Sequence, residues 1–133
     1  AVSDGDRLLL GQSKGRLQAM NRYSVLAGFI DQGESIEEAV QRETMEESGI
    51  QVRNVRYHSS QPWPFPSTLM IGCHADAATS EITMDEVEMA DVQWFSRKDV
   101  LSGLAGTNEN LALPGSIAIA YHLITAWANN DVP

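Results

Sequence analysis

Residues Gly28 to Ile50 constrain this chain more than any other stretch. Ser35 and Glu38 form the pattern S-x-x-E, so the sequence predicts a helix starting after Ser35. Gly49 is suited to the left-handed conformation that ends a helix. Ile36, Val40 and Thr44 recur every four residues and predict one buried face. Glu43, Glu46 and Glu47 fall on another face at i, i+3 and i+4. On a solvated helix such like charges repel by roughly 0.2–0.5 kcal/mol per pair, and Arg42 alone cannot neutralise three. Two readings stand. The face is a solvated charge run, or it holds a hard divalent cation such as Mg²⁺, which takes carboxylate oxygens and leaves sites for water and phosphate.

The spacing separates these readings. The segment resembles the Nudix box, G-x5-E-x7-R-E-U-x-E-E-x-G-U, with U a bulky aliphatic residue. Gly28, Glu34, Arg42, Glu43, Glu46, Glu47, Gly49 and Ile50 all match. Thr44 departs from U; it keeps the shape of valine but adds a hydroxyl that needs a partner. The resemblance implies an α/β fold, an α/β/α sandwich around a mixed β-sheet, and hydrolysis of a nucleoside diphosphate linked to another group.

A second motif follows the box. Ser60-Gln61-Pro62-Trp63-Pro64-Phe65-Pro66 places three prolines in five residues. That excludes a central strand or a helix and holds two aromatics on a stiff scaffold. By itself it reads as a rigid turn, a polyproline ligand or a binding surface. Placed after a Nudix box, it resembles the marker of the NADH pyrophosphatase branch, which also removes NAD caps from RNA. Ser67 occupies a variable position and Thr68 stands where that branch has serine. The resemblance runs over roughly residues 7–127 and is weakest after Lys98.

What the branch implies can be carried onto these residues. Glu43, Glu46 and Glu47 would hold Mg²⁺ or Mn²⁺, with Glu88, a few residues before the Trp94-Phe95 strand, as a further ligand. Arg42 would orient a carboxylate. Gln61, Trp63, Phe65, Thr68 and Met70 would lie on the substrate side. Ala118, at the start of the last helix, would sit near the adenine. Phe29 would stack on it, or else be an ordinary core aromatic. The substrate would be NADH or NAD⁺, cleaved to nicotinamide mononucleotide and AMP, or the NAD-capped end of an RNA. The protein would be a homodimer. Two other readings remain: another Nudix specificity such as ADP-ribose, and a Nudix-fold binding module without catalysis.

The remaining bounds are broad. At 133 residues the chain is one domain, expected to cover 1–133. Its net charge of −9 argues against nucleic-acid binding through bulk charge. Cys73 is the single cysteine, which excludes an internal disulfide and a cysteine-based zinc site and suits a reduced, cytoplasmic setting. No run approaches the length of a membrane span. Branch members carry an N-terminal domain and a zinc ribbon upstream, so the expectation is a fragment lacking both. His58, His74 and His122 show no metal-ligand spacing.

Along the chain the sequence predicts a hairpin turning at Asp4-Gly5-Asp6 and a polar loop over 12–21. Strands are expected over 23–27, over 51–60 with a bulge near Asn54, over 68–75 and at Trp94-Phe95. A helix start follows Arg97, then a loop. A last helix is expected to bury Ile117, Tyr121, Ile124 and Ala128.

Overall fold

Leu8, Leu9 and Leu10 are all fully buried, though side chains alternate across a strand. Such a run requires cover on both faces of its sheet. In the computed structural model, which describes residues 1–64 and 66–133, they sit in β2 (Arg7–Ser13) of a five-stranded sheet. Leu9 packs on one face with Val2, Ile50, Val52, Ala75, Met89 and Val92, where Val40 also contributes. Leu8 and Leu10 pack on the other face with Val100, Leu111, Ile124 and Trp127.

The elements follow in the order β1 (Val2–Asp4), β2, α1 (Arg16–Ala19), α2 (Ile36–Ser48), β3 (Val52–Trp63), β4 (Thr68–Ala77), β5 (Met89–Ser96), α3 (Arg97–Leu104) and α4 (Ile119–Ala128). The strand order is β3-β4-β1-β2-β5. β1 runs parallel to β4 and the other neighbours are antiparallel, so the sheet is mixed. With α2 on one face and α3 and α4 on the other, this is the expected α/β/α sandwich.

The start and stop signals of α2 are used as read. Ser35 Oγ accepts from the Glu38 amide at 3.1 Å, and Glu38 Oε1 accepts from the Ser35 amide at 3.0 Å. Gly49 ends the helix at φ +74°. Asn54 adopts φ +54° beside a register shift between Arg53 and Arg56, which is the expected bulge.

Four expectations are corrected. The segment over 23–27 is not a strand. β1 stops opposite Leu9, Ser24 fills the vacant edge of β2 through one pair with Gly11, and the chain then leaves toward the box. The polar stretch over 12–21 is not all loop: β2 continues to Ser13 and one helical turn, α1, follows. β3 runs past Ser60 to Trp63, pairing Pro62 with Leu69. This is possible because β3 is an edge strand, where proline leaves no ladder bond broken. Ile117 precedes α4 and is 79% exposed, and Tyr121 is half-buried; Ile124 and Ala128 are buried as expected, together with Ile119, Leu123 and Trp127.

Candidate active site

The loop before α2 is fixed by one guanidinium. Arg42 donates from Nε to Glu34 Oε2 at 2.7 Å and from Nη2 to Glu34 Oε1 at 2.9 Å. Such a two-pronged contact is among the stronger ones proteins make. Nη2 also donates to the Phe29 carbonyl at 2.9 Å, and Nη1 to Glu43 at 2.8 Å and Glu46 at 3.2 Å. The hydrogen bonds from Arg42, aided by the Asp31 amide, hold the Glu34 carboxyl down at about 2. One cation thus ties residues 29–34 to the acidic face of α2, which explains why glutamate and arginine recur eight positions apart.

Glu47 is different. It is 94% buried by its 6% exposure, and its Oε1 has no partner among the described residues. Burial, then the negative charges of Glu43, Glu88 and Asp85, push its carboxyl up to about 8. A buried carboxylate surrounded by carboxylates fits a cation better than it fits the bare fold. The donors are all oxygens, the set a hard divalent ion takes. Among the described residues no three metal-ligating side chains converge as they stand, since Glu43 and Glu46 lean on Arg42.

Glu88 and Asp85 reach Glu47 because the loop before β5 docks on the end of α2. The Thr83 amide donates to the Ser48 carbonyl at 2.8 Å and the Asp85 amide to the Glu47 carbonyl at 3.2 Å. The approach is close: a Cβ on Gly49 would lie 2.9 Å from the Thr83 side chain. Asp85 Oδ1 then accepts the Val87 amide at 2.9 Å, turning the chain toward Glu88. The sequence marked Glu88 but gave Asp85 no separate role. Its position three residues ahead, with a side chain able to accept a turn amide, was the available signal.

Beside α2 lies a cleft of about 580 Å³. Glu43, Phe29, Trp63, Thr68 and Met70 all line it. Phe29 is 77% exposed, so it is not a core aromatic. Ile36 and Val40 also line the cleft, and for that reason the predicted apolar face of α2 is only half buried there. Gly28 sits where a Cβ would fall 2.1 Å from Glu43 Cδ. Ala118 is the N-cap of α4 and lies just outside the lining, which takes in its neighbours Ile119 and Ala120. Gln61 has both ends of its amide engaged: Nε2 donates to the Ile117 carbonyl at 2.7 Å and Oε1 accepts the Ile119 amide at 2.9 Å. It clamps the start of α4 to β3. Phe65 lies outside the described residues.

The mixed sheet, the box helix and its glutamate face over a cleft define a class. The chain belongs to the NUDIX domain family, which it matches over residues 1–113. Among curated relatives it is 48% identical over 125 residues to the NAD-capped RNA hydrolase NUDT12 of Homo sapiens, covering 93% of this chain and 27% of that protein. It is 44% identical over 135 residues to the NAD-capped RNA hydrolase NudC of Mycobacterium bovis (strain BCG / Pasteur 1173P2), covering 96% of this chain and 42% of that protein. The chain therefore spans between about a quarter and two fifths of the length of these relatives. Among solved structures it resembles a MutT NUDIX hydrolase from Burkholderia pseudomallei, with TM-score 0.69, 20% identity and 92% of each chain covered. It also resembles the NUDIX domain of Shewanella oneidensis NrtR complexed with ADP ribose, with TM-score 0.70 and 18% identity over 93% of this chain and 77% of that one. At such identities these two speak to the fold alone. Among the described residues no helix is long and apolar enough to cross a membrane.

Proposed function

We propose that this domain hydrolyses the pyrophosphate bond of NADH and NAD⁺, giving nicotinamide mononucleotide and AMP, and removes the same group from NAD-capped RNA. The reading rests most heavily on Glu43, which belongs at once to the acidic face of α2 and to the wall of the apolar cleft. The names of the relatives agree with that substrate class.

In this account Glu43, Glu46 and Glu47 hold Mg²⁺ or Mn²⁺, with Glu88 as a further ligand. When bound, the metal acidifies the attacking water and neutralises charge on the diphosphate. A box glutamate or Glu88 takes the water proton. Arg42 holds Glu43 and Glu46 together on the acidic face of α2 while bracing the Phe29 loop. Phe29 stacks on the adenine beside the α4 start at Ala118. Trp63, Thr68 and Met70, which line the cleft, receive the nicotinamide end. Gln61 acts from behind, by fixing α4 against that wall.

The working unit is a homodimer in the cytoplasm. Leu69, at the tip of the β3–β4 hairpin, is 61% exposed and would be covered by a second copy. Sedimentation should give twice the 14.6 kDa chain mass; an active monomer would refute the need for pairing.

The substrate reading is tested by comparing kcat/KM for NADH, NAD⁺, ADP-ribose and NAD-capped RNA, in the parent and in Trp63→Ala. The parent should prefer the nicotinamide substrates. The variant should lose roughly 10- to 200-fold of its discrimination against ADP-ribose, the range of one pocket contact. Equal slowing on both would make Trp63 structural, and a parent selective for ADP-ribose would overturn the reading.

A further inference from the structure

The chain's charge is segregated. Residues 7–30 hold four of its nine basic residues and none of its eighteen acidic ones, so this stretch is +4 while the rest of the chain is −13. Arg7, at one end of β2, is engaged by Asp4 and lies over Trp94. The other three, Lys14, Arg16 and Arg22, sit at the opposite end, on and around α1. Lys14 and Arg16 are exposed and Arg22 is half-buried. Among the described residues none of the three pairs with a carboxylate. In a chain of this acidity that is not the expected arrangement, since carboxylates outnumber basic groups two to one.

The segment is built into the fold beside the active site. The Lys14 amide donates to the Glu88 carbonyl at 3.0 Å, and Lys14 Nζ donates to the Glu86 carbonyl. Gln12, 6% exposed, donates from Nε2 to Asn21 Oδ1 at 3.1 Å and folds the segment back on β2. The Arg22 amide donates to the Leu17 carbonyl at 2.9 Å, closing the turn. Two residues beyond Arg22 the chain begins to line the cleft, from Ser24 to Ile30. Asp85, Glu86 and Glu88 belong to the loop that Lys14 braces, and two of them act on Glu47; Asp91, opposite Gln12 in the sheet, accepts from the Tyr23 hydroxyl.

From this placement we propose that the Lys14–Arg22 segment binds the phosphate backbone of the RNA that trails from a capped 5′ end held in the cleft. The inference rests on the proposed removal of NAD caps and deepens it. A free dinucleotide has no phosphate beyond its own diphosphate, so it does not need this surface. A capped RNA presents a chain of phosphates leaving the cleft, and lysine and arginine are the side chains that hold such a backbone without reading its sequence. The bulk charge of −9 opposes RNA; the three basic side chains that pair with no carboxylate among the described residues are what a strand running past this segment would meet.

The test leaves Lys14, which braces the 85–88 loop, in place; it compares the parent with a double variant, Arg16→Gln and Arg22→Gln, and with the charge-keeping double Arg16→Lys and Arg22→Lys. NADH turnover should be the same in all three. Turnover of an NAD-capped 20-nucleotide RNA should fall at least about fivefold in the glutamine variant only. Its log kcat/KM should fall less steeply with log salt, by a slope of about 1.4 for two lost contacts to a single strand. The same RNA without its cap, read by fluorescence anisotropy, should bind the glutamine variant more weakly than the parent. This arm does not depend on turnover, so it judges the surface even if the parent cleaves no substrate, a result that would count against the proposed activity alone. Equal RNA affinity and equal salt slopes in parent and glutamine variant would overturn the proposal. So would equal slowing on NADH and capped RNA, which would mark the segment as structural.

Discussion

At the residue scale the site depends on one atom that is not there, the Cβ of Gly28, and one that has no partner among the described residues, Oε1 of Glu47. Gly28 lacks a Cβ, and the space it leaves is filled by the Glu43 carboxylate. Its φ is not in the left-handed region, so alanine is acceptable to the backbone. Gly28→Ala should therefore leave the melting temperature within a few degrees of the parent while displacing Glu43, lowering kcat by about 10²-fold, the size of one lost electrostatic element. A variant as active as the parent would show that Glu43 can move freely. Glu47 supplies the unpartnered oxygen. Its spacing from Glu43 and Glu46 could be read from the chain, because i, i+3 and i+4 fix one helix face whatever lies around it. Its burial could not, because the loop that docks on the end of α2 and adds Glu88 and Asp85 to the local charge of Glu43 lies some forty residues away. The clamp that Gln61 makes on α4 was hidden for the same reason: its partners lie 56 and 58 residues on, and no local pattern announces them.

At the element scale α2 is the part the sequence describes most fully, since its cap, its stop and its acidic face are all local. Ser35 and Glu38 satisfy each other's amides. Ser35→Ala should cost about 1 kcal/mol of stability by chemical denaturation, with kcat little changed below the unfolding transition; a loss under a few tenths would mean the Arg42 network alone holds the helix start. The strands were less legible. Whether residues 23–27 pair depends on how much of the β2 edge β1 leaves open, a matter of three dimensions. The proline run excluded a central strand, because proline breaks a central ladder. The sequence did not say that β3 would be at the edge, where the run extends the strand and carries Trp63 to the cleft.

At the scale of the whole molecule, the two-sided burial of the sheet sets both stability and site. His74, on β4, is 2% exposed and its Nε2 has no partner among the described residues. Burial is the main reason its pKa drops to about 3. In the unfolded chain it titrates near 6.5. Between these values the unfolded chain binds a proton that the fold refuses, so this contribution is full above about pH 6.5 and is lost as pH falls toward 3. The slope from one such group is at most about 1.4 kcal/mol per pH unit. Denaturation curves from pH 7.5 to 4 should fall less steeply for His74→Leu than for the parent; parallel curves would contradict the assignment. The same sheet carries α2 and the hairpin that face each other across the cleft, and the central claim concerns what happens between them. The most direct measurement is the rate at which NADH yields nicotinamide mononucleotide and AMP with Mg²⁺ or Mn²⁺, for the parent, the parent in excess EDTA, and Glu47→Gln. The account predicts turnover by the parent, none in EDTA, and a fall of about 10²-fold or more in Glu47→Gln. Full turnover in EDTA, or a Glu47→Gln variant as fast as the parent, would contradict it.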